Sequence, residues 1–150
     1  MANSNTSMNI HFVFTTKNRE NMIDSIIQSR LYEYLGGIAR ENKMVTYAIG
    51  GTTDHVHILV SIPPVMSPSK GIQLLKTNSS RWIHEEFPGK SAFSWQVGYG
   101  GFSVSPRHIQ NVMKYINNQV EHHRRKTFQE EYIEFLWHSG VAFDEKYLWG

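Results

Sequence analysis

The stretch that most constrains this chain is Asp54-His-Val-His-Ile-Leu-Val60, an apolar, β-branched run holding two histidines one residue apart. Side chains alternate faces along a strand, so His55, His57 and Leu59 point one way and Val56, Ile58 and Val60 the other. Such a strand lies with its apolar face on a core and leaves two imidazoles side by side on the opposite face. Neutral imidazole is the commonest metal ligand, and an i, i+2 pair on a rigid strand can hold one ion without rearrangement. Histidines packed for purely structural reasons would show the same spacing, so the pair has to be read with the rest of the chain.

Composition narrows the setting. At 150 residues, 40% hydrophobic and 19% charged, the chain suits one globular domain over 1–150, with no run near the roughly 18 apolar residues of a membrane span. Residues 1–8 are polar and uncharged, unlike a signal peptide, which points to a cytoplasmic protein. Without cysteine, a metal would have to be bound by His, carboxylate or amide groups. A net charge of +2 does not announce a polyanionic partner, so any nucleic-acid reading rests on where the charges fall.

Asn9 to Thr16 reads as a first strand, with Ile10, Phe12 and Phe14 on one face and His11, Val13 and Thr15 on the other. Ile27, Leu31, Leu35 and Ile38 give a helix over about 25–41, capped by Asp24 or Ser25. Gly36-Gly37 inside it costs about 2 kcal/mol relative to two alanines, which predicts a close contact beneath the pair. Met44 to Ile49 is a second strand, and Gly50-Gly51-Thr52-Thr53 turns into the histidine strand. Ser67-Pro68 starts a second helix that Phe87-Pro88-Gly89 stops. Phe93 to Val97 alternates as a fourth strand, followed by Tyr99 to Val104 as a loop or short extra strand. Ser105-Pro106 opens a third helix running to about Thr127, and Phe128, Tyr132, Phe135 and Leu136 mark a last amphipathic piece stopped by Gly140. The order predicts an α+β, ferredoxin-like split βαβ fold: an antiparallel sheet with helices on one face and the histidines on the other, open face. Its core spans about 9–105, with an appended helix and helical tail over about 106–150.

On the third helix, Tyr115 and Gln119 stand one turn apart on one face, off the apolar stripe. A tyrosine phenol can act as a covalent nucleophile where a cation or base lowers its pKa from about 10. If this helix crosses the open face, His55, His57 and Gln119 can share one divalent ion beside Tyr115. His122 and His123 lie three and four residues past Gln119 and stand behind it as alternative ligands. Trp95, Tyr99 and Phe102 suit either base stacking or a core.

These residues resemble a known family. His11-Phe-Val-Phe-Thr-Thr-Lys17, Asp54-His-Val-His-Ile-Leu-Val60, Gly98-Tyr-Gly-Gly-Phe-Ser-Val-Ser105 and Tyr115-Ile-Asn-Asn-Gln119 look, in this order, like the single-tyrosine HUH transposases of small bacterial insertion sequences and their repeat-associated relatives. The resemblance implies that His55, His57 and Gln119 bind Mg²⁺ or Mn²⁺. It further implies that Tyr115 attacks a single-stranded DNA phosphodiester to form a 5′-phosphotyrosine and a free 3′-OH. DNA hairpins are the implied partners, and the implied assembly is a homodimer with the tyrosine helix acting in trans. Ligand softness alone would suit Zn, Mn, Co or Ni at least as well as Mg. Lys17, Arg19, Arg124, Arg125 and Lys126 are candidate DNA contacts. Two other readings fit the residues: an inactive ferredoxin-like protein that only binds DNA hairpins, and a metal-dependent phosphodiesterase that uses water.

Overall fold

The computed structural model describes residues 4–149. Strands β1 (Asn9–Thr15), β2 (Val45–Gly51), β3 (His55–Ser61) and β4 (Gly100–Ser103) form one antiparallel sheet in the order β2-β3-β1-β4. Helix α1 (Ser25–Glu41) joins β1 to β2, and α2 (Pro68–Glu86) lies between β3 and β4. This is the expected ferredoxin-like arrangement. Local chemistry sets the helix starts: Asp24 Oδ1 accepts from the amides of Ile26 and Ile27 at 3.0 Å, and Ser67 Oγ accepts from that of Lys70 at 3.1 Å.

Strand alternation divides the interior. Phe12 and Phe14 of β1 and Val56, Ile58 and Val60 of β3 pack under Ile27, Leu31 and Leu35 of α1 and Ile72, Leu75 and Ile83 of α2. Each such side chain contributes about 1.5–3 kcal/mol by leaving water. The other face is not open. Helix α3 (Ile109–Asn117) packs Ile116 on Ala48 and Leu59, while α5 (Phe128–His138) packs Phe128 and Leu136 on Val13 and Phe102. The short helices α4 (Gln119–His122) and α6 (Glu145–Leu148) complete the carboxy-terminal part. A Thr127/Glu130 capping box starts α5, and Gly140, at φ 68°, ends it as expected.

Three further expectations need correction. Phe93 to Val97 is not the fourth strand, which is Gly100–Ser103. Its alternation instead sends Phe93 and Trp95 into the main core, where the Trp95 indole donates to Ser79 Oγ at 3.0 Å. Gln96 Oε1 there accepts from the Thr15 amide at 2.7 Å, and Trp95 forms an isolated β-bridge with Thr16. The third helix does not run on to Thr127. It breaks at Asn118, whose φ of −110° and ψ of 28° leave the helical region, and the chain restarts as α4.

The third correction concerns glycines. Nothing presses on Gly36-Gly37: a Cβ on Gly36 would meet Ile49 at an ordinary 3.9 Å, and one on Gly37 nothing within 4 Å. The close approach is at Gly50, where a Cβ would lie 2.2 Å from the backbone oxygen of Ile116, so α3 rests on bare strand backbone one residue from Tyr115. Gly37→Ala should therefore stabilise the fold by about 0.5–1 kcal/mol in denaturant unfolding. Gly50→Ala should destabilise it by about 1–3 kcal/mol by lifting α3. Equal effects of the two changes would contradict this placement.

Candidate active site

β3 and the carboxy-terminal helices bring the sequence-predicted residues together. His55 and His57 are 1% and 0% exposed, and Gln119 is 2% exposed. Alternation points both imidazoles at the α3–α5 layer, and the break at Asn118 carries Gln119 over them. His55 Nδ1 lies 2.7 Å from Asp54 Oδ1 and 3.0 Å from Thr52 Oγ1, and its Nε2 lies 3.1 Å from Gln119 Oε1. His57 Nδ1 lies 2.8 Å from His11 Nε2, and its Nε2 lies 2.9 Å from Glu131 Oε1. The ring of Tyr115 stands edge-on to that of His57 at 5.7 Å between centroids. Its hydroxyl donates to Glu131 Oε2 and sits 3.3 Å from His122 Nε2.

Two members of the cluster carry weight that the sequence reading did not give them. Glu131, 2% exposed, stands at the centre, its Oε2 also 3.1 Å from His122 Nε2 and 3.3 Å from His123 Nε2. A signal was present: Glu131 sits three residues after Phe128 and four before Phe135, on the apolar stripe of α5, where a carboxylate is out of place. His123, placed behind Gln119 as a ligand, has its Nε2 3.0 Å from Gln119 Oε1.

The donor set fits a cation. His123 Nδ1 must donate to the Lys126 carbonyl, 2.8 Å away, so its neutral ring aims a lone pair at Gln119 Oε1. His55 Nδ1 faces the Asp54 carboxylate and its Nε2 faces the same Gln119 oxygen. Gln119 Nε2 donates to the Tyr115 carbonyl at 3.3 Å, which keeps Oε1 toward the imidazoles. Two imidazole nitrogens and an amide oxygen thus converge, a set that suits a cation when both rings are neutral. Ligand atoms of His55, His57, His123 and Glu131 lie within 4.8 Å of one another, a group able to hold a metal ion.

Electrostatics agree with a desolvated, ligand-rich pocket. Burial holds His57 well below its usual pKa, helped by the neighbouring imidazoles, and lowers His11 to about 3 and His123 to about 4. Burial pushes Glu131 up to about 8, assisted by the charges of Glu134 and Asp54. Burial also raises Asp54, but its hydrogen bond and attraction to His55 outweigh that and hold it below the usual range.

The candidate DNA contacts are spread around the site. Arg19 pairs with Asp54 at 3.6 Å and lies over the Phe128 ring at 5.3 Å. Arg124 pairs with Glu121 at 3.0 Å and Lys126 with Glu134. Lys17 and Arg125 are exposed. Trp95 and Phe102 belong to the cores, and Tyr99 remains 36% exposed.

Comparison with known proteins decides the family. The family model described as "Transposase IS200 like" matches residues 4–119. The chain belongs to the IS200-like transposases. It is 25% identical over 114 residues to the ISDra2 transposase TnpA of Deinococcus radiodurans, covering 73% of this chain and 81% of that protein. Its fold is similar to that of a candidate transposase of Deinococcus radiodurans, with a TM-score of 0.63 and 24% identity, covering 79% of this chain and 98% of the other. It is also similar to that of a REP-associated tyrosine transposase bound to a REP hairpin, with a TM-score of 0.58 and 16% identity, covering 81% of this chain and 74% of the other. As an IS200-like transposase, the protein is a DNA-processing enzyme. The family match stops at Gln119, so His123 and Glu131 come from the tail beyond it.

Burial of Glu131 has a measurable cost. Its carboxyl holds a proton up to about pH 8 when folded but only to about 4.5 when unfolded. The folded state therefore binds the extra proton, and stability from this group is lost as pH rises from about 4.5 to about 8. Glu131→Gln should remove that slope, so the variant's advantage over the parent in denaturant unfolding grows with pH across the window. A difference independent of pH would show that Glu131 is not held protonated.

Proposed function

We propose that this transposase cleaves and rejoins single-stranded DNA through a 5′-phosphotyrosine on Tyr115, with His55, His57 and Gln119 holding a divalent ion, Mg²⁺ or Mn²⁺. The observation that carries the reading is the Tyr115 phenol beside a buried convergence of imidazole and amide lone pairs. His123 and Glu131 add an imidazole and a carboxylate to the possible ligands. When bound, the ion supplies Lewis-acid polarisation of the scissile phosphate and stabilises charge on the leaving oxygen.

The chain's own residues do the rest. Asp54 orients His55, and Gln119 is fixed by the Tyr115 carbonyl. Glu131 must release Tyr115 before the phenol can attack, because its carboxylate bonds both the nucleophile and His57. The phenolic proton then has His122 Nε2, 3.3 Å away, as a neighbouring acceptor, and Glu131 only once it has lost its own proton. A P–O bond to tyrosine forms as the P–O3′ bond breaks, and the 3′ oxygen leaves with a proton. The phosphotyrosine keeps the bond energy, so a 3′-OH can reverse the step at a new junction without a nucleotide cofactor.

The REP hairpin bound to the structurally similar transposase supports a hairpin-bearing single strand as substrate. Among the proposed phosphate contacts, Lys17 and Arg125 have no ionic partner among the described residues, whereas Arg19, Arg124 and Lys126 are already paired. Such contacts make binding weaken as salt rises. No described helix is long and apolar enough to cross a membrane, and a cellular DNA substrate fits action in the cytoplasm.

Incubation with Mn²⁺ and a single-stranded hairpin oligonucleotide from the flanks of the gene should give a protein–DNA adduct that survives denaturation. Tyr115→Phe should abolish it. An undiminished adduct in that variant would overturn the assignment, cleavage without an adduct would indicate attack by water, and hairpin binding without cleavage would indicate an inactive binder. The homodimer with exchanged α3 is tested in the same assay by mixing His57→Ala with Tyr115→Phe. Restored adduct means exchange; none, with heterodimers present, means that α3 serves its own sheet, as in the single chain described here.

A further inference from the structure

His11 is buried, chemically able, and unused by the proposed mechanism. On β1 it pairs in register with Leu59, and Val13 stands opposite His57, so His11 reaches His57 diagonally across the β1–β3 ladder. The two rings lie 5.0 Å apart between centroids, tilted by 33°, with 2.8 Å between His11 Nε2 and His57 Nδ1. Phe135 presses edge-on against His11 at 5.0 Å, and Phe102 and Tyr115 flank it at 6.4 Å. At 1% exposure, no bulk water can replace the contact with His57.

The other imidazoles of the cluster show what this contact does. His55 and His123 both direct Nε2 inward, and each has its Nδ1 against an obligate acceptor, the Asp54 carboxylate and the Lys126 carbonyl. His57 also directs Nε2 inward, toward Glu131, so it can serve as a ligand only with its proton on Nδ1. A buried N–H without an acceptor is strongly disfavoured, and among the described residues the group hydrogen-bonded to His57 Nδ1 is His11 Nε2. We propose that His11 is a positioning residue: its Nε2 lone pair accepts the Nδ1–H of His57, fixing the tautomer and ring angle that present His57 Nε2 to the metal. The proposal rests on the metal-site reading above. It also gives a role to the His11-Phe-Val-Phe-Thr-Thr-Lys17 stretch that its position on a strand does not by itself explain.

The test measures metal alone, without DNA. Mn²⁺ binding is titrated by electron paramagnetic resonance for the full-length parent, His11→Phe and His11→Gln, with melting temperatures alongside. His11→Phe keeps a ring but removes the acceptor, and the dissociation constant should rise about 10–100-fold. His11→Gln, whose amide oxygen can stand where Nε2 stood, should recover most of the loss. In the Zn²⁺-loaded parent, nitrogen-15 NMR should show a proton on His57 Nδ1, coupled across the hydrogen bond to His11 Nε2. That signal requires no variant to fold, and a merely space-filling role would not produce it. Unchanged Mn²⁺ affinity in His11→Phe, or a His57 Nδ1 without a proton in the Zn²⁺-loaded parent, overturns the role of His11 while leaving the metal site standing. A parent that binds no Mn²⁺ defeats the metal site itself, and the role of His11 with it.

Discussion

Burying an imidazole is tolerable only if each ring nitrogen has a partner, and β3 buries two side by side on the face opposite its apolar set. Much of the carboxy-terminal part answers that requirement. Asp54 and Thr52 meet one side of His55, and Gln119 the other. His11 and Glu131 meet the two sides of His57. The partners come from β1, the β2–β3 turn, α4 and α5, so the site exists only when all of these are in place around β3. His55 Nε2 and His123 Nε2 meet Gln119 Oε1 at 3.1 and 3.0 Å, an arrangement that suits a cation when both rings are neutral.

The tail beyond the family match covers the site. α5 packs Phe128 and Leu136 on the β1–β4 half of the sheet and places Glu131 over the nucleophile. A buried carboxyl with its pKa near 8 is a stability cost borne at the site. Glu131 couples Tyr115 to His57 through its two oxygens, so neither the phenol nor the imidazole can change partner without the other being affected.

Much of this was legible in the sequence. The face assignments of β1 and β3 followed from strict alternation, and the separation of Tyr115 and Gln119 followed from helical spacing. That helical spacing delivered both residues despite the break at Asn118, because Gln119 lies only one residue beyond it. Glu131 was not read as a site residue, although its place on the stripe between Phe128 and Phe135 was visible, because a charge on an amphipathic helix reads as solvated until the packing of that stripe is known. The fourth strand was misplaced for a related reason. Phe93 and Trp95 alternate because both anchor in the helix-side core, whereas Gly100-Gly101 pairs with β1 through backbone alone. A Cβ on Gly100 would meet the Tyr132 hydroxyl at 2.8 Å, a constraint visible only once α5 is packed.

In the proposed mechanism one cluster binds both the metal and the phosphodiester. Electron–nuclear double resonance on the Mn²⁺-loaded protein, with a non-cleavable single-stranded oligonucleotide bound, reads both at once. Nitrogen couplings from at least two imidazoles are expected together with a phosphorus coupling from the DNA, the nitrogen couplings falling in number in His57→Ala. Phosphorus coupling with no imidazole nitrogen, meaning an ion carried on the DNA alone, would contradict that mechanism.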